Sequence, residues 1–306
     1  MNIPILSVIV VLYNMQREAK RTLYTLSSKY QKDSNENEYE VLVVDNGSQI
    51  PIEETFVKSF GANFHLIRFK PSPSPAVSIN KAVSIARGNL VMIIIDGARM
   101  LSPGILNATL QTFKAFNHPL VATVAYHLGP KRQNISITEG YNQETEDLLL
   151  EGIDWKTNGY KLFSVSVLAG SSNNGWFLPL SESSCLTINK TEYNKINGYC
   201  ESFKTPGGGF VNLDFYKRAC ENTDNLVILL GEGTFHQFHG GVATNVPLNQ
   251  HPGPVFRNEY SQIRGYSFTP PTQESILFGK LPKESIPFLN YSVERLIEFE
   301  NKHKQN

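Results

Sequence analysis

Charge of one sign is what this chain lacks first: 28 Lys and Arg are matched by 28 Asp and Glu. That balance leaves no electrostatic footprint for nucleic acid or an anionic membrane. Cysteine is scarce. Cys185, Cys200 and Cys220 have neither metal-ligand nor redox spacing, and an odd count without a framework suits a reducing, cytoplasmic setting. Long apolar runs are also missing, for none reaches the roughly 18 residues of a membrane span. The run over 3–13 has no basic segment before it and no small-residue cleavage site, so it reads as a strand, not a signal peptide. No GxGxxG follows that strand and no GxxxxGK[ST] occurs, which excludes a dinucleotide fingerprint and a P-loop. No internal repeat stands out.

What is present is a 306-residue chain, 41% hydrophobic and 11% aromatic, ample for a real core. Its centre is LVMIIIDGARMLSP, Leu90 to Pro103. Leu90 to Ile95 is an apolar run that suits a buried strand of a parallel sheet, and Asp96 ends it. Ligands of open α/β sheets sit outside the carboxyl ends of such strands. The plain alternative is that Asp96 caps the helix opened near Pro103. Strands are expected at Leu6–Leu12, Tyr39–Val44, Phe64–Phe69 and Leu120–Tyr126, with helices at Arg17–Tyr30, Ala76–Arg87 and Ile105–Phe116. The β-α-β-α order predicts an open, mostly parallel α/β sheet with helices on both faces.

The second half is less regular. Lys131–Gly159 is polar and reads as a surface excursion or short helix. Strands are expected at Leu162–Leu168, Ser184–Ile188 and Leu226–Leu230, and helices at Asn189–Ile196 and Val211–Glu221. Gly231–Gly241 reads as a loop with two histidines. From Val246 the chain is Pro-rich and irregular, with a last helix at Ser292–Lys302.

Several pieces together resemble family 2 glycosyltransferases of the GT-A fold. SVIVVLYN resembles that family's first strand and Tyr-Asn loop, EYEVLVVDNGSQ its second strand with an Asp-x-Gly-Ser end, and PAVSINKAVSIARGNLVMIIID its Asn-containing helix and central strand. The order is kept over roughly residues 5 to 240. The resemblance implies a Rossmann-like central sheet plus a smaller, mixed acceptor-side sheet. It divides the chain into a nucleotide-sugar-binding half at 1–127, an acceptor and catalytic half at 128–245, and an extension at 246–306.

On the donor side the resemblance implies that Tyr13, Asn14, Asp45 and Asn80 help hold the nucleotide. A strand-end carboxylate can accept a base N–H and an aromatic can stack on the base. Ordinary loop packing for Tyr13 and an Asx-turn for Asp45 are the alternatives. Asp96 matches the first acid of the family's Asp-x-Asp metal motif, but Ala98 stands at the third position. Two compensations are open. Arg99 can pair bidentately with phosphate oxygens. Alternatively His236 or His239, in GEGTFHQFHGG, completes a site for Mn²⁺ or Mg²⁺ with Asp96. On a strand, residues three apart face opposite sides, so the two histidines converge only if the chain turns.

On the acceptor side GGGFVNLDFYKR resembles the family's base-bearing helix start. Asn212 occupies the usual base position and cannot take a proton productively, so Asp214 or Glu201 is expected to be the base. A structural ion pair of Asp214 with Arg218 at i, i+4 is the alternative. Asn212 and Trp176 are candidate acceptor contacts, with a core position the alternative for Trp176. The implied activity is inverting transfer from a nucleotide-diphosphate sugar to a carbohydrate or other hydroxyl acceptor, in glycan or surface-polysaccharide assembly. With Ala98 and Asn212 replacing expected acids, a catalytically degenerate sugar-nucleotide-binding protein is the rival. A nucleotidyltransferase ranks last, because YNMQREAK carries no glycine after the first strand.

Overall fold

A computed structural model describes residues 3–304; the ends of the first and last expected segments, 1–2 and 305–306, lie outside the described residues. The strands are β1 (Leu6–Leu12), β2 (Tyr39–Asp45), β3 (Phe64–Arg68), β4 (Leu90–Ile94), β5 (Arg99–Leu101), β6 (Leu120–Leu128), β7 (Ser166–Leu168), β8 (Cys185–Asn189), β9 (Leu226–His236) and β10 (Ile276–Gly279). The helices are α1 (Gln16–Leu26), α2 (Glu54–Lys58), α3 (Ala76–Ile85), α4 (Ile105–Ala115), α5 (Gln133–Ser136), α6 (Gln143–Glu151), α7 (Lys190–Lys195), α8 (Val211–Glu221), α9 (Gly253–Arg264) and α10 (Ile286–Lys304).

The strands form one sheet in the order β10-β9-β6-β8-β4-β1-β2-β3, with β5 added to β9 and β7 to β6. Along that path the neighbours are parallel except at β8, which runs against both β4 and β6. The expected α/β sheet is therefore present. Its central strands are buried on both faces. In β1, Ile9 and Val11 pack with α3 and α8 on one side, while Val8, Val10 and Leu12 pack with α1 and α4 on the other. Each such side chain stabilises the fold by roughly 1.5–3 kcal/mol.

Three stretches differ from expectation. Leu162–Leu168 is a 3-10 stretch, Gly159–Val165, followed by the short β7. Leu162 and Phe163 are adjacent and both buried, which a helical turn permits and an alternating strand does not. The expected Leu226–Leu230 strand continues to His236 instead of stopping at a loop. Extra residues bulge out of β9 where it shifts register against β6, and Gly231 takes φ 75° there. A Cβ on Gly231 would meet the Lys280 carbonyl at 2.0 Å. Finally, the segment after Val246 is ordered: α9 buries Phe256 and Tyr260, β10 joins the sheet, and α10 starts at Ile286. Its Ser292 Oγ accepts the Trp176 backbone N–H at 3.1 Å.

Candidate active site

The parallel strands deliver their carboxyl ends to one edge of the sheet. Tyr13 and Asn14 follow β1, Asp45 ends β2, Asp96 follows β4, and His236 ends β9. Because β8 runs the other way, its beginning lies on that same edge: the Ile95 N–H donates to Ser184 O at 3.4 Å. The residues just before β8, Glu182 and Ser183, thus join the site from a direction that a search of strand ends does not cover.

The loops that follow β1 and β2 are laced by short bonds. Asp45 is buried and its Oδ1 accepts the Ser48 N–H at 2.8 Å, the Asx-turn foreseen as the alternative. Asn14, held at φ 53°, donates its N–H to Ser48 Oγ at 2.9 Å and accepts the Gln49 N–H on Oδ1 at 2.8 Å. Tyr13 beside it is 48% exposed, free to cover a planar ligand. Asn80 lies further off. Its amide takes the Tyr193 hydroxyl and the Tyr199 N–H and donates to Tyr199 O and Glu201, so it ties α3 to the 199–201 loop.

Asp96 is placed by Gly97. The Gly97 N–H donates to Val11 O at 2.8 Å, and a Cβ there would stand 2.0 Å from Leu12 Cδ2, so glycine is what permits this approach to β1. Asp96 Oδ1 accepts the Ala98 N–H at 3.0 Å. Its Oδ2 faces His236 Nε2 at 3.0 Å, His239 Nε2 at 3.7 Å and Arg99 Nη2 at 3.8 Å. The two imidazole Nε2 atoms are 3.2 Å apart. The histidines converge because β9 ends at His236 and the chain turns. Asp96, His236 and His239 thereby form a group able to hold a metal ion. Separations of 3.0–3.7 Å are those that three ligands of one ion, with bonds of ~2.1 Å, would show. Ala98 packs inside the apolar cluster under α1, so an acid at that position would be buried among carbon atoms.

Arg99 lies opposite His236 on the adjacent strand. It is 8% exposed, and its Nε and Nη1 have no partner among the described residues. A buried guanidinium with two nitrogens unpaired is short of acceptors, which an anion beside it would supply. Burial pushes Asp96 upward, but the histidines and Arg99 prevail and hold it well below the usual carboxylate range. Burial pushes His236 down to about 4, so its ring is neutral near pH 7. His127, across β6 from His236 and missed by the sequence reading, is also pushed down by burial and by His236.

On the acceptor side two expected roles fail on geometry. Asp214 is 1% exposed, and both its oxygens are taken. Arg264 donates to Oδ1 at 2.6 Å and to Oδ2 at 2.7 Å, and Arg218 donates to Oδ2 at 2.9 Å. Such a carboxylate holds α8 to α9 and has no place for a hydroxyl proton. Trp176 is 1% exposed within the core, which rules out a stacking face for a sugar. Asn212 is buried and accepts the Tyr199 hydroxyl at 3.0 Å. Its Nδ2 donates to Glu182 Oε2 at 2.9 Å and to Ser183 O at 3.1 Å. Glu201 is exposed, bonded to Asn80.

Residues 7–235 match the family described as glycosyltransferase like family 2. The chain belongs to that family. Among curated proteins none matches. Among solved structures, the S. aureus TarS 1-349 crystal structure superimposes with a TM-score of 0.52 at 15% identity, over 76% of this chain and 60% of that one. The same fragment in complex with UDP-GlcNAc gives 0.54 at 15% identity, over 77% and 59%. Against the longer S. aureus TarS chain the values are 0.52 and 15%, over 76% of this chain but 36% of that one. The chain thus spans at most about three fifths of these relatives. The likeness is one of fold, and the fold is GT-A. Among the described residues no helix is long and apolar enough to cross a membrane.

Proposed function

We propose that this glycosyltransferase moves a sugar from a nucleotide-diphosphate sugar to a hydroxyl acceptor with inversion, using a divalent cation. The carrying observation is the Asp96, His236 and His239 triangle beside Arg99, whose Nε and Nη1 have no hydrogen-bond partner among the described residues. Two imidazoles with one carboxylate favour Mn²⁺ over Mg²⁺, which prefers oxygen ligands alone. When bound, that ion supplies Lewis-acid stabilisation of the leaving diphosphate. Arg99, on the same side of Asp96, would neutralise further charge on the same phosphates. Asp45 and Tyr13 hold and cover the base. The TarS complex with UDP-GlcNAc supports a uridine diphosphate sugar as the first donor to test.

The base passes from Asp214 to Glu182. Asn212 donates to Glu182 Oε2 and orients it, leaving Oε1 for the acceptor proton. The acceptor oxygen gives its proton to Glu182 and attacks the anomeric carbon. The bond from that carbon to the diphosphate oxygen breaks, and the diphosphate keeps the electron pair. One base and one leaving-group site make a single in-line displacement, hence inversion. Polymer or glycan hydroxyls are the acceptor class this reading carries. The test is donor binding and turnover with uridine, guanosine and thymidine diphosphate sugars, with and without Mn²⁺. Mn²⁺-dependent turnover with one donor is expected. Failure to bind any of them refutes the reading, and binding without turnover under every condition favours the degenerate binding protein.

A further inference from the structure

The polar segment after β6 and the loop after β9 contain an amide pair that the reaction as described does not use. Three backbone N–H groups, of His239, Gly240 and Gly241, donate to Asn245 Oδ1 at 3.2, 3.0 and 3.0 Å. They fix which end of that amide is oxygen. The other end, Nδ2, donates to Gln133 Oε1 at 2.9 Å. Gln133 is fully buried, and its Nε2 faces two carbonyls, His236 O at 3.0 Å and Leu128 O at 3.5 Å. Both ends therefore orient the Gln133 amide in the same sense. Its Oε1 can only accept, so His236 Nδ1, 2.7 Å away, is the donor. A neutral imidazole that donates from Nδ1 carries its lone pair on Nε2. That atom is the one facing Asp96 and His239.

We propose that Gln133 and Asn245 are positioning residues: Gln133 locks His236 in its Nδ1–H form and Asn245 holds the turn bearing His239, so that the His236 Nε2 lone pair and the His239 ring face one cation site beside Asp96. This rests on the reading that a divalent cation binds there. The competing arrangement is simple. Without Gln133, His236 protonated on Nε2 would donate to Asp96 over the same 3.0 Å, and a proton would fill the cation site. Partners behind metal-bound imidazoles set tautomer and orientation, and their loss costs roughly 10–100-fold in metal affinity.

The experiment uses the full chain, metal-free, in native, Gln133→Leu and Asn245→Ala forms. Histidine side-chain ¹⁵N NMR reads the His236 tautomer, and calorimetry reads Mn²⁺ affinity. Native protein should show Nδ1–H. Gln133→Leu should shift to Nε2–H and bind Mn²⁺ roughly 10–100-fold more weakly. Asn245 sits on a half-exposed loop, so Asn245→Ala keeps the test alive if the buried variant does not fold. It should retain the tautomer yet weaken Mn²⁺ about tenfold. An Nε2–H tautomer in the native chain, or Mn²⁺ affinity equal in native and variants, overturns the positioning role. Native protein that holds Nδ1–H but binds no Mn²⁺ overturns the cation reading itself.

Discussion

Replacing Asp214 by Asn separates an ion-pair strut from a catalytic base. The carboxylate lies 1% exposed between Arg264 and Arg218, with contacts of 2.6, 2.7 and 2.9 Å. Breaking a buried pair by removing one partner costs roughly 3–5 kcal/mol. The two arginine side chains are 24% and 21% exposed, so water relieves part of the stranded charge, and the lower end, about 3 kcal/mol, is appropriate. For a chain of this size 1 kcal/mol moves Tm by roughly 2–4 °C, so a fall of about 6–12 °C is expected. Thermal unfolding reads the first quantity, and donor turnover well below the transition reads the second. Turnover of folded Asp214→Asn should stay within about threefold of native, since no lone pair faces a substrate. A Tm unchanged within a degree or so, together with turnover lost by roughly a thousandfold, would refute the reasoning and restore Asp214 as base.

Three other side chains give expectations of their own. Glu182→Gln should lower kcat by about 10²–10⁴ with little change in Tm or donor affinity, read by steady-state kinetics and calorimetry. Arg99→Met should leave Tm unchanged or higher, because a bare buried guanidinium is removed, while nucleotide-diphosphate affinity falls at least tenfold. Glu232, buried on β9 where it accepts the Tyr160 hydroxyl at 2.7 Å and the Gly104 N–H at 3.2 Å, is raised by burial from 4.5 to about 7, above its unfolded value. Its stabilising contribution is complete below about 4.5 and is lost as pH rises through about 7, a change of about 3 kcal/mol. Tm of native protein should therefore fall over that window, and Glu232→Gln should flatten the slope.

The first half of the chain was legible because its elements obey local rules. β1, β2 and β4 are apolar runs ended by polar residues, and their parallel pairing puts Tyr13, Asp45 and Asp96 on one edge. What escaped depends on the chain's direction or on distant partners. Glu182 was missed because β8 is reversed, so its start lies at the site. His236 and His239 could not be paired from spacing alone, since their convergence requires β9 to end between them. Asp214 looked like a base because Arg264, fifty residues away in a stretch read as irregular, could not be foreseen beside it. Trp176 followed the rule that polar loops expose their aromatics, and Ser292 of α10 breaks it.

The proposed reaction needs Asp96, His236 and His239 to hold a divalent ion for the donor diphosphate, with Arg99 beside it. A crystal soaked with uridine diphosphate and Mn²⁺, read by anomalous scattering, tests it directly. One anomalous peak is expected within bonding distance, about 2.1–2.3 Å, of Asp96 Oδ2 and both Nε2 atoms, with diphosphate oxygens on Arg99. Nucleotide seated against Asp45 with no peak between the three ligands would contradict it.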